Sequence, residues 1–211
     1  MALMAITPHI VDLNNFLASC QLRQYERGET IIHAGDVPKT LFYLISGAVS
    51  VILEDLDGRE VILAYLNPGD FFGEMGLFDT QKSRSACCRA RHNSEIAEIS
   101  YERFNSYAQE HPEILFTIGK QMADRLRNTT RKVGDLAFYD VTGRIARTLI
   151  ALSKEPDAMT HPDGMQIKIT RQELGRLVNC SREMAGRVLK TLEEQNLISV
   201  HGQTVVVFGT R

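Results

Sequence analysis

Two stretches of this sequence carry residue types whose spacing can do chemistry on phosphate groups. The first is Gly69-Asp-Phe-Phe-Gly-Glu-Met-Gly-Leu-Phe78, followed after a short gap by Arg84-Ser85-Ala86. A glycine-flanked turn that enters a short helix presents backbone N–H groups, and a nearby guanidinium and hydroxyl complete an anion site. Glu74 is awkward beside an anion unless it does other work, and accepting a hydrogen bond from a ribose 2′-hydroxyl is suitable work. A lone Gly-Glu-x-Gly or a lone arginine would carry little.

The second stretch begins at Thr170-Arg-Gln-Glu173, a capping box that opens a helix ending near Val178. Asn179-Cys180 makes a tight connection, and Ser181 caps a longer helix running to about Gln195. Leu174, Leu177, Val188 and Leu189 pack the pair, with Gly175 where the two helices approach closely. Leu197 to Val200 and Thr204 to Phe208 then flank His201-Gly202 as a β-hairpin. Helix, turn, helix and hairpin in this order make a winged helix-turn-helix. Arg182 and Arg187 can each reach a guanine edge, and Glu183 can accept from a cytosine amine. Arg171, Ser181 and Lys190 suit phosphates, which position a duplex without reading its sequence.

The elements around these stretches set their relation. From about Tyr25 to Ile99 short β-prone segments alternate with turns: Thr30 to His33, Leu41 to Ile45, Ala48 to Leu53, Glu60 to Tyr65, Ser85 to Ala90 and Glu95 to Ile99. With Asp57-Gly58 as a hairpin turn, that spacing implies an antiparallel barrel or jelly roll. Helical patterns follow at Tyr101 to Glu110, from Pro112 to about Phe138, and at Val141 to Leu152. In the long one, Leu115, Gly119, Met122, Leu126, Thr129, Val133 and Leu136 recur at alternating intervals of four and three. This heptad seam suits a parallel dimer; the alternative is one amphipathic helix packed on its own barrel. Thr129 puts a hydroxyl on that seam, to be satisfied by a bound purine amine or by its own helix backbone.

Bulk properties limit the rest. With 211 residues, 44% hydrophobic and 24% charged, the chain is an ordinary globular one, without runs long enough for a membrane span. Its start lacks a basic region followed by an apolar core, so a cytoplasmic location is expected. Cys20, Cys87, Cys88 and Cys180 form no Cys-x-x-Cys pair, which favours reduced thiols over disulfides or a metal cluster. No Ser/His/Asp, Cys/His or metal-ligand grouping is evident, and His161 and His201 lie in turns, so no enzyme is expected. Residues 1 to 140 hold 14 Lys and Arg against 19 Asp and Glu, whereas residues 141 to 211 hold 10 against 7. The basic balance of the C-terminal part suits nucleic-acid contact.

The chain resembles the Crp/Fnr family of regulators, in its cyclic AMP receptor branch. The likeness is carried by Ile167-Lys-Ile-Thr-Arg-Gln-Glu173, by Cys180-Ser-Arg-Glu183 with Gly186-Arg187, and by the Gly69 to Ala86 pattern, similar to a phosphate-binding cassette. Arg131-Lys-Val-Gly-Asp-Leu-Ala-Phe138, Pro156 to Arg171, and Met122-Ala-Asp-Arg-Leu-Arg127 with Thr129-Thr130 extend it over nearly the full chain. The resemblance implies an α+β chain. Residues 1–110 would be an antiparallel β jelly-roll cyclic-nucleotide-binding domain, 111–138 a dimerisation helix and 139–211 the winged helix-turn-helix.

By the same resemblance, cyclic AMP is the allosteric ligand of a homodimer, with no metal. Gly73, Glu74, Arg84 and Ser85 would hold its ribose-phosphate, and Thr129 and Thr130 its adenine from the two subunits. The seam would be Leu115, Met122, Leu126, Val133 and Leu136. Arg182, Glu183 and Arg187 would read TGTGA-like half-sites in double-stranded DNA. Thr160, His161, Pro162, Asp163 and Gly164 would touch the RNA polymerase α subunit, and Gln21, Arg23 and Arg103 would form a second polymerase surface. Departures from the family pattern are Gln21 for histidine, Thr130 for serine, Asn179 for a turn glycine and Ala185 for a larger apolar residue. A sensor of cyclic di-GMP, haem or an iron–sulfur cluster is the alternative within regulation. A regulatory module serving an enzyme is the alternative outside it, with no room left for a catalytic domain.

Overall fold

An apolar run without polar alternation, such as Leu41-Phe42-Tyr43-Leu44, requires a strand covered on both faces. In the computed structural model, which describes residues 13–78 and 83–210, this run lies in β3 (Thr40–Ser46). Residues 1–12, on which the expected lack of a leader rests, and 79–82, the gap before Arg84, lie outside the described residues. The chain divides into two compact units, Met1–Asn128 and Thr129–Arg211, and the boundary falls inside one long helix.

The first unit contains α1 (Leu13–Ala18), β1 (Gln21–Tyr25), β2 (Thr30–Ile32), β3, β4 (Val49–Glu54), β5 (Glu60–Leu66) and β6 (Phe71–Phe72). After these come α2 (Met75–Phe78), β7 (Cys87–Ala90), β8 (Ser94–Ser100), α3 (Tyr101–Glu110) and the start of α4 (Glu113–Phe138). Two antiparallel four-stranded sheets result, in the orders β1-β8-β3-β6 and β2-β7-β4-β5, matching the expected jelly roll. Side chains alternate along β3 between two cores. Phe42 and Leu44 pack with Val49, Leu66, Phe72 and Ile96 between the sheets. Leu41 and Tyr43 pack outward with Phe104 and Tyr107 of α3 and Ile114 and Ile118 of α4. Phe16 of α1 fills that outer core, edge-on to Tyr43, Phe71 and Tyr107 at 5.5 to 5.8 Å.

Neither α1 nor β1 is legible in the sequence. The helix has six residues, and of β1 only Tyr25 is buried, so no periodic pattern reaches the threshold of a signal. β7 starts at Cys87 rather than Ser85. Its two cysteines are both buried, and all four cysteines are free. Burial pushes the Cys20 and Cys88 thiols up to about 12, which leaves them protonated and unreactive.

The second unit holds the rest of α4, α5 (Val141–Leu152), β9 (Met159–His161), β10 (Gly164–Lys168), α6 (Arg171–Val178), α7 (Arg182–Glu194), β11 (Ile198–His201) and β12 (Thr204–Phe208). Its antiparallel sheet has the order β11-β12-β10-β9. Asp140 caps α5 through the Gly143 N–H at 2.8 Å. Next to it, Arg147 pairs with Asp135 of α4 at 2.8 Å and lies over the Tyr139 ring, which fixes the corner between the two helices. The stretch Thr160 to Gly164, read from sequence as a turn region, is the tip of a hairpin in which Gly164 pairs with His161. Pro162-Asp163 turns it, since a proline cannot donate to the ladder. The expected strand at Gln166 to Ile169 accordingly begins two residues earlier, at Gly164.

Candidate nucleotide and nucleic-acid sites

A polar corner forms where β6 ends. Gly73 has φ +71°, a conformation that favours glycine, and a Cβ there would lie 2.9 Å from Arg84 Nη1 and 3.1 Å from Phe42. The backbone therefore comes as near the guanidinium as it can. Arg84 donates from Nη1 to the Gly73 carbonyl at 2.7 Å and to the Tyr101 hydroxyl at 2.9 Å, and from Nη2 to the Thr40 carbonyl at 2.6 Å. The Tyr101 hydroxyl in turn donates to the Gly73 carbonyl at 2.5 Å. Added to Gly76, a Cβ would lie 2.6 Å from that hydroxyl and 2.7 Å from Pro38, so α2 is seated tightly on both. Ser85 is exposed beside this corner.

Glu74 is 7% exposed, and a buried carboxylate needs a cation. Arg125 of α4 supplies it, at 3.1 Å from Glu74 and 3.9 Å from Asp70, and also donates to the Phe71 carbonyl. Gln121, one turn earlier, accepts from the Phe71 N–H at 2.8 Å and donates to the Gly69 carbonyl at 2.9 Å. Burial raises the Asp70 pKa against the lowering effects of the Asn67 N–H and Arg125. Sequence reasoning named Gly73, Glu74, Arg84 and Ser85 and missed Arg125, Tyr101 and Gln121. The four-residue step from Gln121 to Arg125 was the available signal, placing two polar groups on one face of α4.

Thr129 and Thr130 are exposed on α4. The seam residues Leu126, Val133 and Leu136 are exposed at 69%, 61% and 51%, and Leu115 is also exposed, while Met122 is partly buried against the outer core. Arg23 of β1 lies 3.7 Å from Glu98, and Gln21 is exposed beside it. Arg103 lies in the first turn of α3, its N–H bonded to the Ser100 cap.

In the second unit the helix pair is built by local devices. Thr170 accepts from the Glu173 N–H at 3.1 Å, and Ser181 from the Met184 N–H at 3.1 Å. Asn179 ends α6 in the left-handed region at φ 54°, so asparagine does the work expected of a turn glycine. A Cβ on Gly175 would sit 2.6 Å from the Cys180 carbonyl, which explains the close turn. Ala185 is fully buried, as is Leu174 of α6, and Val188 is nearly so. Arg144 caps the end of α6 by donating to the Val178 carbonyl at 3.1 Å.

These helices and the β11–β12 wing enclose an open groove of about 720 Å³, lined among others by Arg171, Arg182, Glu183, Arg187 and Lys190. It gathers the predicted readers on one surface, with Ser181 occupied as the helix cap. Its own N–H at the start of α7 and the Ser181 hydroxyl hold Glu183 below the usual carboxylate range, so it stays an acceptor.

Known proteins match both parts of the chain. A cyclic nucleotide-binding domain model matches residues 22–111, and a Crp-like helix-turn-helix domain model matches residues 143–208. The chain belongs to the Crp/Fnr family. Within it, the chain is 62% identical to the cAMP-activated global transcriptional regulator Vfr of Pseudomonas aeruginosa, over 97% of both chains. It is 57% identical to the cAMP-activated global transcriptional regulator CRP of Salmonella typhimurium, over 93% of each. Among solved structures, the cyclic di-GMP-responsive regulator CLP of Xanthomonas campestris superposes with a TM-score of 0.87 at 51% identity, covering 92% of this chain and 97% of that one. Among the described residues no helix is long and apolar enough to cross a membrane, and no group of His, Cys, Asp and Glu could hold a metal.

Proposed function

We propose that this chain is a cyclic AMP-dependent transcription regulator that binds palindromic DNA as a homodimer. The observation that carries the reading is the corner at Gly73, whose carbonyl Arg84 reaches and which the buried Glu74 follows directly, so that a cation for phosphate and an acceptor for a sugar hydroxyl flank one turn. Relatives of 62% and 57% identity that are cAMP-activated support the choice of nucleotide. Residues 1–110 serve as the ligand domain, 111–138 as the dimerisation helix and 139–211 as the DNA-binding domain.

Cyclic AMP lies with its ribose-phosphate on Gly73, Glu74, Arg84 and Ser85, and its adenine on Thr129 of one subunit and Thr130 of the other. Because the same helix carries the exposed seam Leu126, Val133 and Leu136, ligand binding and subunit pairing are coupled through α4. Pairing sets the two α7 helices about one duplex turn apart, ~34 Å. Arg182, Glu183 and Arg187 then read TGTGA-like half-sites while Arg171, Ser181 and Lys190 hold phosphates. The β9–β10 hairpin at Thr160 to Gly164 contacts the polymerase α subunit, with Gln21, Arg23 and Arg103 as a second surface.

The 51% identical cyclic di-GMP-responsive structure gives one specific reason for a second reading, in which a dinucleotide is the effector. Calorimetric titration with cyclic AMP, cyclic GMP and cyclic di-GMP separates the two. The reading expects cyclic AMP to bind and Arg84→Leu to weaken it roughly a hundredfold, through loss of charge-assisted bonds. Binding of cyclic di-GMP alone, or an unaffected Arg84→Leu, overturns it.

A further inference from the structure

α7 carries two adjacent acids near its end, and they do different things. Glu194 lies 3.7 Å from Lys190, an exposed pair one helical turn apart. Glu193 instead reaches off the helix, and its Oε1 accepts from the backbone N–H of Val200 at 2.8 Å. Val200 belongs to β11, the edge strand of its sheet, where Val200 stands opposite Val205 of β12. Its N–H faces away from β12, and an edge strand leaves such donors without a ladder partner. The carboxylate closes that edge from the side of α7.

On the other side the hairpin is already tied down, because the Ile169 N–H donates to the Gln203 carbonyl at 2.8 Å. The wing is thus held at two points, one toward β10 and one toward α7. Glu193 and Val200 both line the groove that collects Arg171, Arg182, Arg187 and Lys190. A carboxylate in a groove built for a polyanion opposes binding by Coulomb repulsion. Its position is explained by the bond it makes rather than by the charge it carries.

We propose that Glu193 is a positioning residue for DNA recognition: its carboxylate fixes the wing against α7, so that helix and wing meet one duplex in a single register. This rests on the reading of the second unit as the DNA-binding domain. Glu193 does not touch bases or phosphates in this role. It acts through the Val200 backbone, and so through where the His201-Gly202 turn meets the sugar-phosphate chain.

The sign of the charge makes the idea testable. Glu193→Gln keeps an acceptor and removes the repulsion, whereas Glu193→Ala removes both. The full-length protein loaded with cyclic AMP is titrated against a duplex carrying two inverted TGTGA half-sites, with hydroxyl-radical footprinting on the same complexes. Glu193→Ala is expected to weaken binding roughly tenfold, to lose protection where the wing meets the backbone, and to speed hydrogen exchange at the Val200 amide. Glu193→Gln is expected to keep the footprint and bind as tightly as wild type or more so. If Glu193→Ala also keeps the footprint and binds no more weakly than Glu193→Gln, only the charge matters and the positioning role is overturned. A wild-type protein that binds no duplex overturns the underlying reading instead, and is seen before any variant is compared.

Discussion

Tyr101 is the residue on which the corner at Gly73 turns. Its hydroxyl accepts from Arg84 and donates to the Gly73 carbonyl, so one atom sets both the guanidinium and the turn that would face a phosphate. Partial burial raises its pKa, and the hydroxyl stays a donor at neutral pH. Tyr101→Phe keeps the ring packed and deletes that atom. Nucleotide affinity measured by calorimetry should fall about five- to tenfold, the worth of roughly one net hydrogen bond, with the barrel still folded. An unchanged affinity would show that Arg84 needs no such support. Gly73 stands in a glycine-flanked turn that the sequence shows directly, whereas Tyr101, 28 positions on, shows in sequence only as the start of a helix.

Among the elements, α4 carries the most consequence and one weak position. Gly134 lies in the helix interior, where glycine costs about 1 kcal/mol relative to alanine. A Cβ added there meets nothing within 4 Å, so alanine fits without displacement. Gly134→Ala should therefore stiffen the segment leading to the α4–α5 corner and raise DNA affinity without nucleotide by about fivefold. A gel-shift titration of the ligand-free protein checks this, and equal apo affinities would show that Gly134 does not limit DNA binding without nucleotide. The same corner holds the Asp135–Arg147 pair and the Asp140 cap, which makes its geometry resistant to change. The heptad spacing of α4 was legible because its period needs no partner to be seen. β1, β6 and β9 were not, being short and without alternation.

For the whole molecule, the proposed homodimer puts the exposed apolar groups of α4 at its interface. Large apolar groups at Leu126, Val133 and Leu136 recur on one side of the helix, an arrangement a lone chain leaves in water. Leu126→Asp together with Val133→Asp should dissociate the protein to monomers, seen by sedimentation or light scattering, and abolish operator binding while leaving the jelly roll intact. Dimers that persist would place the interface elsewhere.

What the sequence alone determined is local: the capping box at Thr170, the Ser181 cap, the left-handed Asn179, the glycine corner at Gly73 and the heptad of α4. Each depends on residues within a turn or two, where spacing along the chain stands for distance in space. Only the tertiary structure decided who answers Glu74, who holds Arg84 and what closes the wing. Arg125 is 51 positions from Glu74, and Tyr101 is 28 from Gly73. Glu193 is only seven from Val200 but lies across a helix end from it. Such partners are chosen by how sheets and helices pack, and at Glu74 and Arg84 burial turns them from optional contacts into necessary ones, since a polar group removed from water must find its complement inside the fold.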